Sequence, residues 1–147
     1  MSDSTVCVDA SFVAGLFLGP EDAGYWGVLE RWHADGVSLY APSLITYELT
    51  NVFYRCCRAG YLSAASARLA LDAALGLPIT LVEDPTLHGE AVRIAAAAGS
   101  PATYDAHYVA LAKRLGVELW TADARLAQNA GEEASRVRLV GDATTST

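Results

Sequence analysis

Four acidic residues occupy positions from which their carboxylates can act together, and we call them the acidic quartet. They are Asp9, Glu48, Asp105 and Asp123. Asp9 follows an apolar strand predicted at residues 6–8, and Asp123 follows an alternating strand predicted at 117–120. Asp105 begins a helix, and Glu48 lies in the second turn of another. Because strand ends and helix starts meet at one edge of an α/β sheet, we expect all four side chains at that edge.

Four carboxylates at one place repel each other by several kcal/mol, so a fold that gathers them normally holds hard divalent cations. Oxygen-only ligation selects Mg²⁺ or Mn²⁺ over zinc. Such ions activate water and polarise a phosphodiester, and this chemistry needs no protein nucleophile. The quartet therefore predicts metal-dependent phosphodiester hydrolysis. It also predicts that at least one of these carboxylates titrates above its ordinary pKa when metal is absent.

The elements that must position the quartet alternate between strands and helices. Strands are predicted at residues 6–8, 37–40, 77–82, 117–120 and 137–140. The predicted helices start at an N-cap Ser11 and then cover 23–34, 43–59, 64–75, 85–98 and 104–115, with a short helix after residue 123. Parallel neighbours need such crossover connections, so we expect a three-layer α/β/α sandwich with a mainly parallel central sheet. Residues 1–140 form the predicted single domain, and 141–147 form a polar tail.

One predicted helix carries both an acid and a regular apolar stripe. Its apolar positions are Tyr104, Tyr108, Leu111, Ala112 and Leu115. This spacing predicts that the stripe faces the core, and Gly116 ends the helix.

The composition limits the possible functions. The chain has 147 residues, of which 52% are hydrophobic, and a net charge of -7. This charge argues against a broad basic surface for nucleic acid, so a polyanionic substrate would need metal ions or a local arginine stripe. Three cysteines, two of them adjacent, favour buried reduced thiols and a cytoplasmic location. No early apolar run is long enough to span a membrane, so we expect no membrane association.

Three segments together resemble the PIN-domain ribonucleases, and within them the VapC toxins of toxin-antitoxin pairs. The segments are residues 8–11, 42–52 and 104–126, with Tyr104-Asp105-Ala106 and Thr121-Ala122-Asp123-Ala124-Arg125-Leu126 at the ends of the last. The resemblance implies a PIN-like fold and a Mg²⁺- or Mn²⁺-dependent endoribonuclease that cuts RNA. It further implies a homodimer and a cognate antitoxin that silences the toxin and also binds promoter DNA.

By position, the resemblance makes the quartet the catalytic, metal-binding acids. It also makes Ser11, Asn51 and Thr121 polar residues that support the metal site. Trp120 is bulkier than the aliphatic residue common in the family, which affects local packing.

A polar stripe lies along the helix that contains Glu48. Glu48, Asn51, Arg55 and Arg58 fall within about 80° of one another on a helical wheel. We hypothesise that Arg55 and Arg58 hold RNA phosphates and supply positive charge locally. The alternative is an ordinary solvated face.

Other chemistry-bearing residues receive structural interpretations. His33, His88 and His107 lack metal-ligand spacing, so they are assigned no catalytic role. Trp26 and Trp32 are predicted to pack a core or an interface, and the alternatives are base stacking or a groove for an antitoxin helix.

Several alternatives stay open. Asp9 and Asp123 could serve only as helix N-caps, and Asp105 could serve only its helix dipole. The chain could be a PIN-domain RNA-processing nuclease outside a toxin-antitoxin system, or a non-catalytic binding domain. A phospho-acceptor signalling domain is disfavoured because the sole lysine, Lys113, lies within a helix.

Overall fold

Five parallel strands form the central sheet in the computed structural model, which describes residues 4–140. The strands are β1 (Thr5–Val8), β2 (Ser38–Pro42), β3 (Ile79–Val82), β4 (Glu118–Thr121) and β5 (Val137–Leu139). Their order in the sheet is β3-β2-β1-β4-β5, and every pairing is parallel. The chain thus builds outwards from β1 in one direction and then crosses back to place β4 on its other side. The carboxyl ends of β1 and β4 meet at this switch point, where open α/β sheets bind ligands.

Within residues 4–140, seven α-helices lie between and around the strands. They are α1 (Ala10–Leu18), α2 (Tyr25–Ala34), α3 (Leu44–Arg58), α4 (Ala64–Leu75), α5 (Thr86–Ala98), α6 (Tyr104–Leu115) and α7 (Ala124–Gln128), with 3-10 turns at Glu21–Ala23 and Gly131–Arg136. Helix α1 packs against α2, α3 and α4, whereas α5 and α6 pack against each other. Right-handed crossovers place these two groups on opposite faces of the sheet. The predicted three-layer α/β/α architecture with a parallel sheet is confirmed.

The core lies on both faces of β1 and β4. Cys7, Val8 and Leu119 are fully buried, and α6 covers this part of the sheet. Burial raises the pKa of the Cys7 thiol to about 12, so this thiol stays protonated. Cys56 and Cys57 are half-buried, and all three cysteines are free. The cysteines are therefore thiols, as predicted, although only Cys7 is fully buried.

The apolar stripe predicted on α6 is correct only in its middle. Tyr108, Leu111 and Ala112 are buried, but Tyr104 and Leu115 are 59% and 40% exposed. The buried arc is instead widened by Ala106, Val109 and Ala110. The arc is wide because α6 contacts both the sheet and α5.

Some boundaries differ from the sequence prediction. The second helix starts at Tyr25 rather than at residue 23, because Gly24 adopts a left-handed conformation after a 3-10 turn. Strand β2 extends to Pro42, so the next helix begins after Ser43. The predicted tail at 141–147 lies outside the described residues. Within residues 4–140, no helix is long and apolar enough to cross a membrane.

Candidate metal-dependent nuclease site

Asp9 is the buried member of the quartet, with 4% of its surface exposed. It follows β1 and is the N-cap of α1, because its carboxylate accepts the Phe12 backbone N–H at 2.9 Å. The Ser11 hydroxyl donates to the same oxygen at 2.8 Å, and the Thr121 hydroxyl donates to the other oxygen. The predicted cap at Ser11 is therefore wrong, since Ser11 lies inside the first turn of α1. Both Asp9 oxygens are held in a fixed orientation.

Burial raises the pKa of Asp9 to about 6. The hydrogen bonds from Thr121, Phe12 and Ser11 oppose this rise because they favour the charged form, and the charge of Asp105 adds to it. A carboxylate this deeply buried without a cation beside it is unusual in a stable fold.

Two hydroxyls, those of Ser11 and Thr121, join the first turn of α1 to the end of β4. The Ser11 and Thr121 hydroxyls lie 3.1 Å apart. Ser11 accepts the Ala122 backbone N–H at 2.9 Å, and Thr121 accepts the Asp123 N–H at 3.0 Å. Ser11 and Thr121 therefore fix Asp9 and the backbone of Asp123 relative to each other.

Asp123 is half-buried and is the N-cap of α7. One carboxylate oxygen accepts the Arg125 backbone N–H at 2.9 Å and lies 3.7 Å from the Arg125 guanidinium. The capping interpretation of Asp9 and Asp123 is thus correct as geometry. It does not exclude a second role, because a capping carboxylate keeps free lone pairs.

Glu48 projects from the second turn of α3 and is half-buried. It accepts a hydrogen bond from the hydroxyl of Tyr108 on α6. Burial is the main cause that raises the pKa of Glu48, and the charge of Asp105 raises it further. The Tyr108 hydrogen bond and the nearby His107 act in the opposite direction.

Asp105 lies in the first turn of α6 and is exposed at the mouth of the site. Its partial loss of hydration raises its pKa, the negative charge of Asp123 raises it further, and Arg125 lowers it. Asp105 also acts on the pKa of Asp9 and of Glu48. Asp105 is therefore the member of the quartet that interacts electrostatically with each of the other three.

The prediction that a quartet carboxylate titrates high is confirmed for Asp9, Glu48 and Asp105, whose pKa values are all raised. The sequence analysis attributed the raised pKa to repulsion among the carboxylates, and repulsion is not the largest cause. Loss of hydration is the largest cause of the raised pKa for each group, and mutual repulsion comes after it. Sequence patterns reveal charge proximity poorly and burial depth hardly at all.

The donor set fits a hard divalent cation. The quartet offers only carboxylate oxygens, one of them deeply buried, and Arg125 is the one cation in an ion pair with it in the described part of the chain. Within residues 4–140, however, no three His, Cys, Asp or Glu side chains stand close enough to form a ready-made metal cluster. The quartet carboxylates are close enough to affect one another's pKa values, but their side chains do not converge on a single point.

The predicted polar stripe on α3 faces solvent beyond Glu48. Asn51, Arg55 and Arg58 are exposed. Over residues 4–140 neither arginine forms an ion pair with an acidic side chain, and Asn51 makes no side-chain hydrogen bond to the quartet.

The two tryptophans of α2 differ in burial. Trp32 is buried against Phe12 and Trp120, with ring centroids at 5.4 and 5.2 Å. Trp26 is 46% exposed, although its indole N–H donates to the Leu16 carbonyl at 2.7 Å. Trp32 is therefore part of the core, and Trp26 and the edge of Trp32 both line a surface groove of about 780 Å³ beside α2.

A histidine pair was missed by the sequence analysis. His88 Nδ1 and His107 Nε2 lie 2.9 Å apart, and His107 Nδ1 lies 2.7 Å from the Thr103 carbonyl. Because a carbonyl only accepts, His107 donates from Nδ1, and its Nε2 shares a hydrogen bond with His88 Nδ1 whose direction depends on the tautomers of the two rings. The pair joins α5 to the first turn of α6. Spacing along the chain could not reveal it, since the two residues belong to different helices.

Comparison with protein families decides the identity of the fold. The family model described as PIN domain matches residues 6–132. The chain belongs to the PIN domain family. PIN domains are a nuclease fold and typically use divalent metals.

Solved structures agree with this assignment. This PIN domain is similar to PAE2754 from Pyrobaculum aerophilum, with 25% identity over 96% of this chain and 93% of that chain, and a TM-score of 0.71. It is also similar in fold to VapBC2 from Rickettsia felis, solved bound to a DNA fragment from their promoter. That match has 11% identity, a TM-score of 0.67, and covers 92% of this chain and 98% of that chain. A search among curated proteins gives no match.

Proposed function

We propose that this PIN domain is a Mg²⁺- or Mn²⁺-dependent endoribonuclease and the toxin of a type II toxin-antitoxin pair. The observation that carries the proposal is Asp9: a deeply buried carboxylate, hydrogen-bonded at both oxygens, at the carboxyl edge of β1 and β4. Its neighbours at that edge are also acids. An arrangement that gathers negative charge without matching cations is suited to binding a cation.

In this proposal the quartet holds the metal, and Ser11 and Thr121 keep Asp9 oriented for it. Bound metal supplies Lewis acidity and lowers the pKa of water for attack on the phosphodiester. Arg55 and Arg58 extend from α3 on the side of Glu48 and bind phosphates that flank the cut. Asn51, one turn after Glu48, adds a polar contact at the mouth of the site. We propose residues 1–140 as the single nuclease domain.

The partners follow from the same proposal. An RNA substrate, a cognate antitoxin and a second copy of the chain are expected to bind. VapBC2, which shares the fold, was solved as a toxin-antitoxin complex on promoter DNA, and this supports an antitoxin partner here. The groove beside Trp26 is a suitable binding site for an apolar helix of the antitoxin.

The test is RNA cleavage by the purified chain with Mg²⁺, with excess chelator, and after Asp9→Asn. We expect cleavage only by the wild type with metal. Cleavage that survives both chelator and Asp9→Asn would overturn the metal mechanism, and absence of cleavage of any RNA would favour a non-catalytic binding domain.

The toxin role has its own test. Expression of the chain should arrest growth, and co-expression of the protein encoded by the adjacent reading frame should relieve the arrest. A chain that cleaves RNA without arresting growth, and that binds no product of an adjacent frame, would instead be an RNA-processing nuclease.

A further inference from the structure

Tyr108 is a buried residue whose polar atom faces the candidate site. Its side chain is 1% exposed and ranks among the largest fully buried side chains of the fold. Its hydroxyl donates a hydrogen bond to the carboxylate of Glu48. On α6 it lies three residues, about one turn, after Asp105. A phenol in the core is therefore joined to an acid at the rim.

The same hydroxyl also lies beside the start of α1. The backbone N–H of Ala10, the first residue of α1, acts on the phenol oxygen and lowers the pKa of Tyr108. The N–H groups at a helix start have no partner within the helix, so they are free to interact with such an oxygen. Ala10 directly follows Asp9. One hydroxyl thus connects α1, α3 and α6, the three helices that begin beside or carry Asp9, Glu48 and Asp105.

A hydroxyl at this point has a property that a cationic side chain lacks. It orients the Glu48 carboxylate by a hydrogen bond but leaves the negative charge in place for a cation. An ordinary phenol keeps its proton at neutral pH, so Tyr108 remains a hydrogen-bond donor to Glu48. Lysine or arginine at residue 108 would instead neutralise the acid.

We propose that Tyr108 is a positioning residue of the metal site, whose hydroxyl holds the Glu48 carboxylate in the orientation that binds the divalent cation. This proposal rests on the proposed function and adds a residue to it. The apolar period of α6 accounts for an aromatic ring at residue 108 but not for its hydroxyl. Phenylalanine would fill the same space, so Tyr108→Phe isolates the contribution of the hydroxyl.

The experiment compares wild type, Tyr108→Phe and the matched control Tyr61→Phe, which alters an 80% exposed tyrosine beyond the end of α3. Binding of Mn²⁺ to the metal-free proteins is measured by electron paramagnetic resonance, well below the melting temperature of each. We expect Mn²⁺ affinity about tenfold weaker in Tyr108→Phe and unchanged in Tyr61→Phe, because outer-shell partners typically contribute this much. For RNA cleavage, kcat should fall while KM stays the same, since the buried phenol does not reach substrate.

A double-mutant cycle separates positioning from general destabilisation. If Tyr108 acts through Glu48, Tyr108→Phe should weaken Mn²⁺ binding in the wild type but have no further effect in Glu48→Gln. Equal weakening in both backgrounds would overturn the proposal. So would Mn²⁺ affinity in Tyr108→Phe within about twofold of the wild type, which is below the range expected of an outer-shell partner.

A measurement on the unaltered protein does not depend on the folding of any variant. Mg²⁺ titration of wild type labelled with ¹³C at the tyrosine ζ carbon should shift the resonance of Tyr108 and leave that of Tyr61 in place. No shift of the Tyr108 resonance at saturating Mg²⁺ would contradict the proposal. Failure of the wild type itself to bind either metal would instead contradict the proposed function, so the two failures are distinguishable.

Discussion

Two acidic regions of this PIN domain shift the pKa values of their carboxylates in opposite directions. At the start of α5, Asp84 accepts the Thr86 backbone N–H at 2.9 Å and an Arg114 N–H at 2.8 Å. Further along α5, Glu90 pairs with Lys113 at 2.8 Å and with Arg93. The Thr86 hydrogen bonds are the main cause that lowers the pKa of Asp84, and the Lys113 hydrogen bond has the same effect on Glu90. We call Asp84 and Glu90 the paired acids.

The quartet is the contrasting region. Asp9, Glu48 and Asp105 have raised pKa values, and Arg125, which lowers the pKa of Asp105 and pairs with Asp123, is mostly exposed. The paired acids are half-buried and pair with residues of α6, and partly exposed ion pairs of this kind add little to stability. Buried acids without cations disfavour the metal-free fold, so their presence suggests a ligand. The difference between the regions teaches that the surroundings of an acid, more than its presence, distinguish structure from function.

The largest expected effect comes from removing one charge in each region. Asp9→Asn should lower RNA cleavage by more than about 100-fold, because a metal ligand contributes more than the outer-shell partners, which are worth 10 to 100-fold. Glu90→Gln should leave cleavage unchanged. Steady-state cleavage assays at saturating Mg²⁺ compare the two variants, and equal losses in both would remove the distinction between the regions.

The pH dependence of stability should differ in sign between the regions. For Asp9 the folded-state pKa is raised from 3.8 to about 6, so its stabilising contribution is complete below pH 4 and is lost as pH rises to 6. Two pKa units correspond to about 2 to 3 kcal/mol. Denaturant unfolding of the metal-free protein from pH 4 to 7 should therefore show Asp9→Asn gaining stability over wild type by up to this amount.

The paired acids give the opposite slope. Their folded-state pKa values are lowered, so their contribution is present above the unfolded pKa and is lost as pH falls. Glu90→Gln should therefore lose its small difference from wild type below pH 4. An Asp9→Asn curve parallel to that of wild type would show that Asp9 is not a buried, high-pKa group.

Metal should stabilise the wild-type fold through the quartet alone. At a Mg²⁺ concentration 100 times its Kd, the expected gain is about 2.7 kcal/mol. The gain should persist in Glu90→Gln and disappear in Asp9→Asn. Thermal unfolding with and without Mg²⁺ measures it, and stabilisation of Asp9→Asn equal to that of wild type would place the metal elsewhere.

The hydroxyl that supports Asp9 should matter less than Asp9 itself. Thr121→Val keeps the shape but removes the donor to Asp9 and the acceptor for the Asp123 N–H. We expect roughly 10-fold slower cleavage, as for other outer-shell partners, and about 1 to 3 kcal/mol of lost stability. Thr121→Ser, which retains the hydroxyl, is the matched control and should recover most of the activity.

The smallest effect is expected on the exposed stripe. Arg55→Gln with Arg58→Gln should weaken RNA binding a few-fold and reduce the slope of log affinity against log salt by about 1.4, the value for two phosphate contacts to a single strand. Arg93→Gln removes one arginine that already pairs with Glu90, and it should change neither quantity. Fluorescence anisotropy of labelled RNA at several salt concentrations measures both the affinity and its salt dependence. An unchanged slope in the double variant would mean that the stripe is an ordinary solvated face.

Much of the fold could be predicted because local signals agreed with one another. The alternation of strands and helices appears in the structure near the predicted positions. The helix end predicted at Gly116 also appears there, and Gly116 adopts the left-handed conformation. The predicted burial of Tyr104 and Leu115, at the two ends of α6, was wrong. Periodicity describes one face of a helix, whereas burial depends on neighbours from other parts of the chain.

The positions of the acids after strands and at helix starts could be predicted, but the hydrogen bonds around them could not. Asp9 and Asp123 follow strands, and that position is visible in the sequence. The hydrogen bonds from Tyr108 to Glu48 and between His88 and His107 join residues 60 and 19 positions apart. Such pairs depend on how α3, α5 and α6 pack, and a single sequence carries no direct record of helix packing.

The most direct test of the central claim is anomalous diffraction from crystals soaked in Mn²⁺. A peak should lie at the carboxyl edge of β1 and β4, within ligand distance of an Asp9 oxygen and of other quartet members, and it should be missing in Asp9→Asn crystals. A Mn²⁺ peak only at the paired acids Asp84 or Glu90, or no peak at that edge under saturating Mn²⁺, would contradict the account.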